Sequence, residues 1–102
     1  MDKRLELHEK LCKLLKSRYA YFQPPPNIRM HYPAIRYKFS GVDKLSADNR
    51  AYRLVNRYEV VYIDEDPESD MYLQILEAFP MCSLDRTYFA DNLNHWVLTL
   101  YY

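Results

Sequence analysis

Five carboxylates within seven residues form the densest group of side chains able to do chemistry: Asp64, Glu65, Asp66, Glu68 and Asp70. Clustered carboxylates bind Ca²⁺ when a glycine forms the sharp turn between them and a late glutamate binds in bidentate fashion. This segment has no glycine. Asp66 instead suits the N-cap of a helix and Pro67 its first position. We therefore interpret the segment as a solvent-exposed helix start, and we predict no metal site.

The histidines and cysteines do not form a zinc-binding pattern. Cys12 and Cys82 are seventy positions apart, so they indicate neither a disulfide framework nor a metal knuckle. His8 lies on the apolar side of a predicted helix, where a hydrogen-bond partner in the core is commoner than a catalytic role. His31 and His95 are isolated in the sequence.

A nucleophilic site is conceivable around one histidine. His95 with Asp85 or Asp91 would have to orient a hydroxyl such as that of Ser83 or Thr87. A chain with this many aspartates offers such trios by chance, so we predict no catalytic residues and no enzymatic activity.

Glycine is scarce: Gly41 is the only one in the sequence, whereas average usage of about 7% predicts about seven. Phosphate-binding loops and dinucleotide-binding fingerprints need several glycines, because the backbone must approach the ligand closely or adopt positive φ. A nucleophile elbow needs two glycines around a serine. The sequence therefore excludes these sites, and we expect no cofactor.

The chain length favours a single domain, residues 1–102. The charge balance and the lack of long apolar runs disfavour binding to nucleic acid or to a membrane. Fourteen basic residues balance fourteen acidic ones, so no bulk positive charge attracts nucleic acid or anionic lipid. No apolar run approaches the roughly 20 residues of a membrane span, and the charged N-terminus is unlike a secretory segment. We expect assembly in the cytoplasm.

Apolar periodicity predicts two helices. The first covers Asp2–Ser17, where the apolar side chains occupy one half of the helical wheel. The second begins at Asp66–Pro67 and runs to about Phe79, with Pro80 ending it.

Five strands are predicted around these helices, at Tyr19–Gln23, His31–Ser40, Tyr52–Asp64, Met81–Phe89 and His95–Tyr102. An exposed loop is predicted at Gly41–Asn49 and a hairpin turn at Ala90–Asn94. Because Tyr52–Asp64 is long for a strand, part of it should project with the preceding strand. The predicted fold is α+β, a mainly antiparallel sheet flanked by two helices, with a projecting long β-hairpin.

Eleven tyrosines leave two functional interpretations open. Tyrosines on strands can stack on unpaired bases in a single-stranded nucleic-acid-binding module. Tyrosine and arginine are also enriched in protein–protein interfaces. The balanced charge and the absence of a glycine–aromatic strand signature favour the second interpretation.

Several segments carry a resemblance that covers most of the chain: Asp2–His8, Tyr32–Ile35, Tyr58–Pro67, Cys82–Arg86, Tyr88–His95 and Leu98–Tyr102. They resemble the tail terminator, or tail-completion, proteins of tailed bacteriophages. The resemblance implies a structural virion protein, assembled in the host cytoplasm. Such a protein forms a ring, usually a hexamer, that caps the tail tube and ends its polymerisation. Its partners would be its own copies, the tube protein and a head–tail connector, while DNA passes through the lumen without specific binding.

The alternative within this class is another head–tail connector or neck subunit. For the interface we select the side chains Tyr37, Arg53, Arg57, Arg86, Asp91, Asn92, Asn94 and His95. A plain hairpin held by the Asp91 and Asn92 side chains explains the turn equally well. We expect the acidic segment of Asp64, Glu65, Asp66, Glu68 and Asp70 to face the lumen or a ring surface.

Overall fold

A computed structural model describes residues 2–45 and 53–102. This part of the chain forms two helices and five strands: α1 (Asp2–Leu15), β1 (Ala20–Phe22), β2 (Ala34–Leu45), β3 (Arg53–Asp64), α2 (Met71–Ala78), β4 (Cys82–Ala90) and β5 (Leu93–Tyr101). The sheet order is β1-β2-β3-β5-β4. β1 runs parallel to β2, and the other neighbours are antiparallel. The predicted α+β fold with a mainly antiparallel sheet and two helices is confirmed.

Both helices cover the same face of the sheet, which we call the helical face. Leu7, Leu11 and Leu15 recur along one side of α1 and are buried there. α2 contributes Ile75 and Phe79 to the same core. The sheet supplies alternate residues of its three inner strands: Ile35, Tyr37, Tyr58, Val60, Tyr62, Trp96, Leu98 and Leu100.

The other face, which we call the open face, carries the intervening residues of each strand. Val61, Ile63 and Val97 form a second, small buried cluster, with Met30 and Leu93 packed against it. Because of this cluster, buried apolar side chains lie on both faces of β3 and β5. The alternation of apolar and polar residues along these strands is therefore incomplete.

The predicted loop at Gly41–Asn49 is wrong over its first five residues, because β2 continues to Leu45. The register between β2 and β3 shifts between Phe39 and Gly41, which marks a β-bulge. Gly41 has φ 153°, and a Cβ there would collide with the Arg57 guanidinium. Gly41, which the sequence analysis assigned to a loop, therefore lies in a β-bulge. Residues 46–49 of the predicted loop lie outside the described residues.

The predicted helix start at Asp66–Pro67 is also wrong, because α2 begins at Met71. The Asp66 carboxylate accepts a hydrogen bond from the Glu68 backbone N–H at 2.9 Å. Ser69 N–H donates to the Asp66 carbonyl at 3.3 Å. Asp66 therefore closes a local turn, an arrangement that competes with the helical N-cap for the same side chain.

The two hairpins differ in what the structure describes. β2 and β3 stay paired as far as Leu45 and Arg53, whereas the pairing of β3 with β5 ends at Arg57. Tyr52 and the rest of the connection lie outside the described residues, so the projecting hairpin stays a prediction. β4 and β5 are joined by a two-residue turn, narrower than predicted, in which Asp91 and Asn92 have φ of 55° and 63°. Positive φ at both positions is typical of a type I′ turn.

We expect Leu98→Ala to lower the free energy of unfolding by about 2–5 kcal/mol, because Leu98 is fully buried and its truncation leaves a cavity. Leu54→Ala is the matched control, since Leu54 on β3 is 65% exposed. It should change stability by no more than about 0.5 kcal/mol. Urea denaturation measures both variants, and equal losses would contradict the assigned core.

Candidate assembly surfaces

A chain of polar and aromatic contacts crosses the open face. The Tyr88 ring on β4 stacks on the His95 ring on β5, with centroids 4.4 Å apart and an interplanar angle of 10°. Arg36 Nη2 on β2 donates to the Tyr88 hydroxyl at 3.3 Å. Because β3 and β5 lie between β2 and β4, this bond spans two strands. It joins the two sides of the sheet over the small apolar cluster.

His95 is held within this chain of contacts. Its ring is 7% exposed, and its Nδ1 lies 3.1 Å from the Leu93 carbonyl oxygen. Because a carbonyl can only accept, Nδ1 is the donor. Burial lowers the pKa of His95, and the positive charge of Arg36 acts in the same direction.

One edge of the sheet is formed by β4, and seven of its nine side chains are exposed. In the part of the chain that the structure describes, no strand pairs with its outer side. Phe89 is 65% exposed, and Leu84 and Tyr88 are partly exposed, at 39% and 37%. An unpaired edge with exposed apolar side chains is a site where another strand can add.

The opposite edge is only partly covered. β1 pairs with β2 at three positions, Ile35, Arg36 and Tyr37. Beyond them the edge borders a groove of about 520 Å³, lined by Gln23, Pro24, Lys38, Phe39 and Glu59 among others. Within this groove the Phe39 N–H donates to Gln23 Oε1 at 3.2 Å. A side chain thus bonds the backbone donor that a neighbouring strand would otherwise bond.

Exposed apolar side chains also mark this second edge. Phe39 is 45% exposed and Val42 is 50% exposed. Lys38 Nζ lies 3.3 Å from the Glu59 carboxylate, and the Lys38 side chain stays mostly in solvent. The sequence analysis missed the part of this edge that contains Val42, because it ended the strand at Ser40 and treated Val42 as part of a loop.

Tyr37, selected as an interface residue, lies in the core instead. Its side chain has no exposed surface. Arg4 Nη1 donates to the Tyr37 hydroxyl at 3.3 Å, and that hydroxyl lies 2.6 Å from His8 Nδ1. The buried partner expected for His8 is therefore Tyr37, and the phenol is not available for contact with another copy.

The two arginines selected on β3 differ in their surroundings. Arg57 Nη1 lies 2.7 Å from the Asp43 carboxylate, and Arg57 Nη2 donates to the Ser40 carbonyl at 3.1 Å. These bonds hold β2 to β3 beside the bulge. Arg53 is exposed.

The residues selected around the second hairpin have different structural roles. The exposed Arg86 guanidinium lies 5.9 Å from the centroid of the Tyr88 ring. Asn94 Nδ2 donates to the backbone carbonyls of Asp64 and Glu65, at 3.4 and 3.3 Å. Asn94 therefore anchors the acidic segment to β5, while Asp91 and Asn92 form the exposed turn itself.

Two of the five acids are engaged in local structure. The Asp64 carboxylate accepts from the Tyr62 hydroxyl at 2.5 Å, and Asp66 engages the turn described above. Burial raises the pKa of Tyr62, and the bond to Asp64 adds to this shift. Glu65, Glu68 and Asp70 are exposed. Within residues 2–45 and 53–102, no three histidine, cysteine or acidic side chains are grouped to hold a metal ion.

Among the described residues, no hydrogen bond joins His95 to Asp85 or Asp91. Thr99 Oγ1 on β5 donates to the Asp85 carboxylate. The His95 ring bonds the Leu93 carbonyl and stacks on Tyr88. These contacts therefore connect β4 to β5.

Comparison of the chain with protein-family models, curated proteins and solved structures finds no match. Neither helix of the described part of the chain is long and apolar enough to cross a membrane.

We expect the free energy of unfolding to fall as the pH drops below about 6.5, the usual histidine value. Because the pKa of folded His95 lies lower, the unfolded chain binds the proton more readily over this range. The lowered pKa of His8 has the same sign. His95→Phe keeps a ring against Tyr88 but cannot titrate, so it should reduce the pH dependence. Urea denaturation from about pH 7 to about pH 5 measures this. An unreduced dependence in the variant would contradict the assignment to His95.

Proposed function

We propose that this protein is a structural subunit that assembles with identical copies into a ring, and that it acts as a tail terminator of a phage virion. In this role the ring caps the tail tube, ends its polymerisation and offers a surface to the head–tail connector. The subunit assembles in the host cytoplasm and resides in the tail or neck region. The resemblance described above supplies the particular role.

The observation that carries the proposal is the exposed outer edge of β4. Seven of the nine side chains of β4 are exposed, Phe89 among them. In a protein that works alone, an unpaired edge with exposed apolar side chains promotes aggregation. One groove borders the edge of β2, and a second, of about 270 Å³, is lined by residues of β4 and β5 that include Thr87 and Phe89. This arrangement supports recognition of a protein surface.

The distribution of the tyrosines supports assembly over single-strand binding. Tyr37, Tyr58 and Tyr62 are buried. The exposed Tyr88 ring has one face on His95, and its hydroxyl accepts a hydrogen bond from Arg36. A stacking platform needs successive aromatic faces open to solvent, and these rings are occupied within the protein.

The first prediction from this proposal concerns tube growth. Purified protein added to polymerising tail-tube subunits should shorten the tubes and remain at one tube end in electron micrographs. Phe89→Lys should reduce this effect, because a lysine on a strand edge opposes pairing. Leu5→Lys is the matched control, since Leu5 is 52% exposed on α1. Tubes of unchanged length with the wild-type protein would overturn the terminator role.

The second prediction concerns the acidic segment, which we propose faces the ring lumen. Glu65→Lys, Glu68→Lys and Asp70→Lys combined should slow DNA ejection, because basic side chains bind phosphates that acidic ones repel. Asp64 and Asp66 are left intact because their carboxylates bond neighbouring groups. The three changes spare the turn. Ejection rates equal to those of wild-type virions would place the segment away from the lumen.

A further inference from the structure

The balanced net charge conceals a strong separation of charge across the sheet. Residues 64–102 contain eight acidic residues and one basic residue, Arg86, whereas residues 18–59 contain eight basic residues and three acidic ones. The first segment supplies α2, β4 and β5, and the second supplies β1, β2 and most of β3. The strand order places β4 and β2 on opposite sides of the β3–β5 pair. Five of the eight acids lie in residues 64–70, where Pro67 lines one groove with Thr87 and Phe89 of β4. The acidic excess therefore lies beside β4, and the basic excess lies in the segment that supplies β1 and β2.

The two incompletely paired edges lie on these two sides. β4 presents an uncovered edge of nine residues on the acidic side. β2 presents residues 38–45 beyond its last pair with β1, on the basic side. The two edges are thus of similar length. β4 itself carries one acid and one base, Asp85 and Arg86, whereas residues 38–45 carry two lysines and one aspartate.

Exposed apolar side chains on the two edges share the helical face. Phe39 pairs with Tyr58 and Val42 with Asn56, both helical-face positions of β3. On β4, Leu84 pairs with Leu98, and Phe89 pairs with Asn94 on the side of Trp96. If the two edges joined in one sheet, these apolar side chains would lie on one continuous face, where cross-strand neighbours make contact.

We propose that β4 of one copy adds to the outer edge of β2, residues 38–44, of the next copy. The contact extends the sheet from subunit to subunit, and the incoming backbone replaces the Gln23 side chain at the Phe39 N–H. The inference rests on the proposed self-assembly and names the two surfaces that meet. Because the surfaces differ, the contact is head to tail, and repetition with a suitable rotation closes a ring.

Charge selects this contact over the symmetric one. Pairing β4 with a second β4 would bring the acidic segments 64–70 of two copies toward one contact, and like charges facing each other oppose association. Pairing β4 with β2 brings that segment toward residues 38–45 instead, which carry two lysines and one aspartate. The head-to-tail contact should therefore weaken as salt rises, since exposed charges are screened.

Two variants test the contact because each blocks one surface. Phe89→Lys places a positive charge on the β4 edge, where it would face the basic side of the next copy. Val42→Glu places a negative charge on the β2 edge, where it would face the acidic side. Both side chains are at least half exposed, so the fold should survive. Leu5→Lys and Leu5→Glu are matched controls on α1.

Sedimentation over a range of concentrations up to millimolar protein is the measurement. The wild-type chain and both controls should self-associate. Each blocked variant alone should associate at least about tenfold more weakly. An equimolar mixture of the two should form a dimer and no larger species, since one copy keeps β4 and the other keeps β2.

Other outcomes overturn the inference. If two β4 strands pair symmetrically, Phe89→Lys abolishes association and Val42→Glu has no effect. A wild-type chain that stays a 12.4 kDa monomer throughout also overturns it. The tube assay separates the two proposals: association without capping removes the terminator role, and capping that both variants retain removes this contact.

Discussion

The pairing of β3 with β5 is the interaction on which the rest of the structure depends. It joins the half of the sheet that contains β1 and β2 to the half that contains β4. On the helical face it aligns Tyr58, Val60 and Tyr62 with Leu100, Leu98 and Trp96, which α1 and α2 then cover. On the open face the bond from Arg36 to Tyr88 crosses the same junction. The two halves are thereby fixed in one sheet.

An open sheet has two edge strands. Here the neighbouring elements protect these two edges to different extents. β1 is three residues long and shields only the start of β2, while β4 has no neighbour on its outer side within the described residues. The apolar side chains at both edges, with Phe89 and Val42 as examples, gain burial only from another molecule. The proposed assembly would account for both the uneven edges and the separated charges.

Sequence patterns predicted those parts of the fold in which local periodicity and burial agree. The leucine stripe of α1 and the apolar residues of β5 gave the right elements, because each buries a regular set of positions. β2 beyond Ser40 was missed because exposed residues on both faces leave no apolar alternation. Asp66 was misassigned because an aspartate can bond a turn as readily as a helix. Tyr37 and the Arg36–Tyr88 bond depend on tertiary neighbours 29 and 52 positions away.

Amide hydrogen exchange as a function of protein concentration tests most directly whether identical copies join through these edges. If they do, self-association slows the exchange of outward-facing amides in β4 and in residues 38–44 of β2, and leaves α1 and α2 unchanged. Protection that appears on the helices instead, or on one edge without the other, would contradict it.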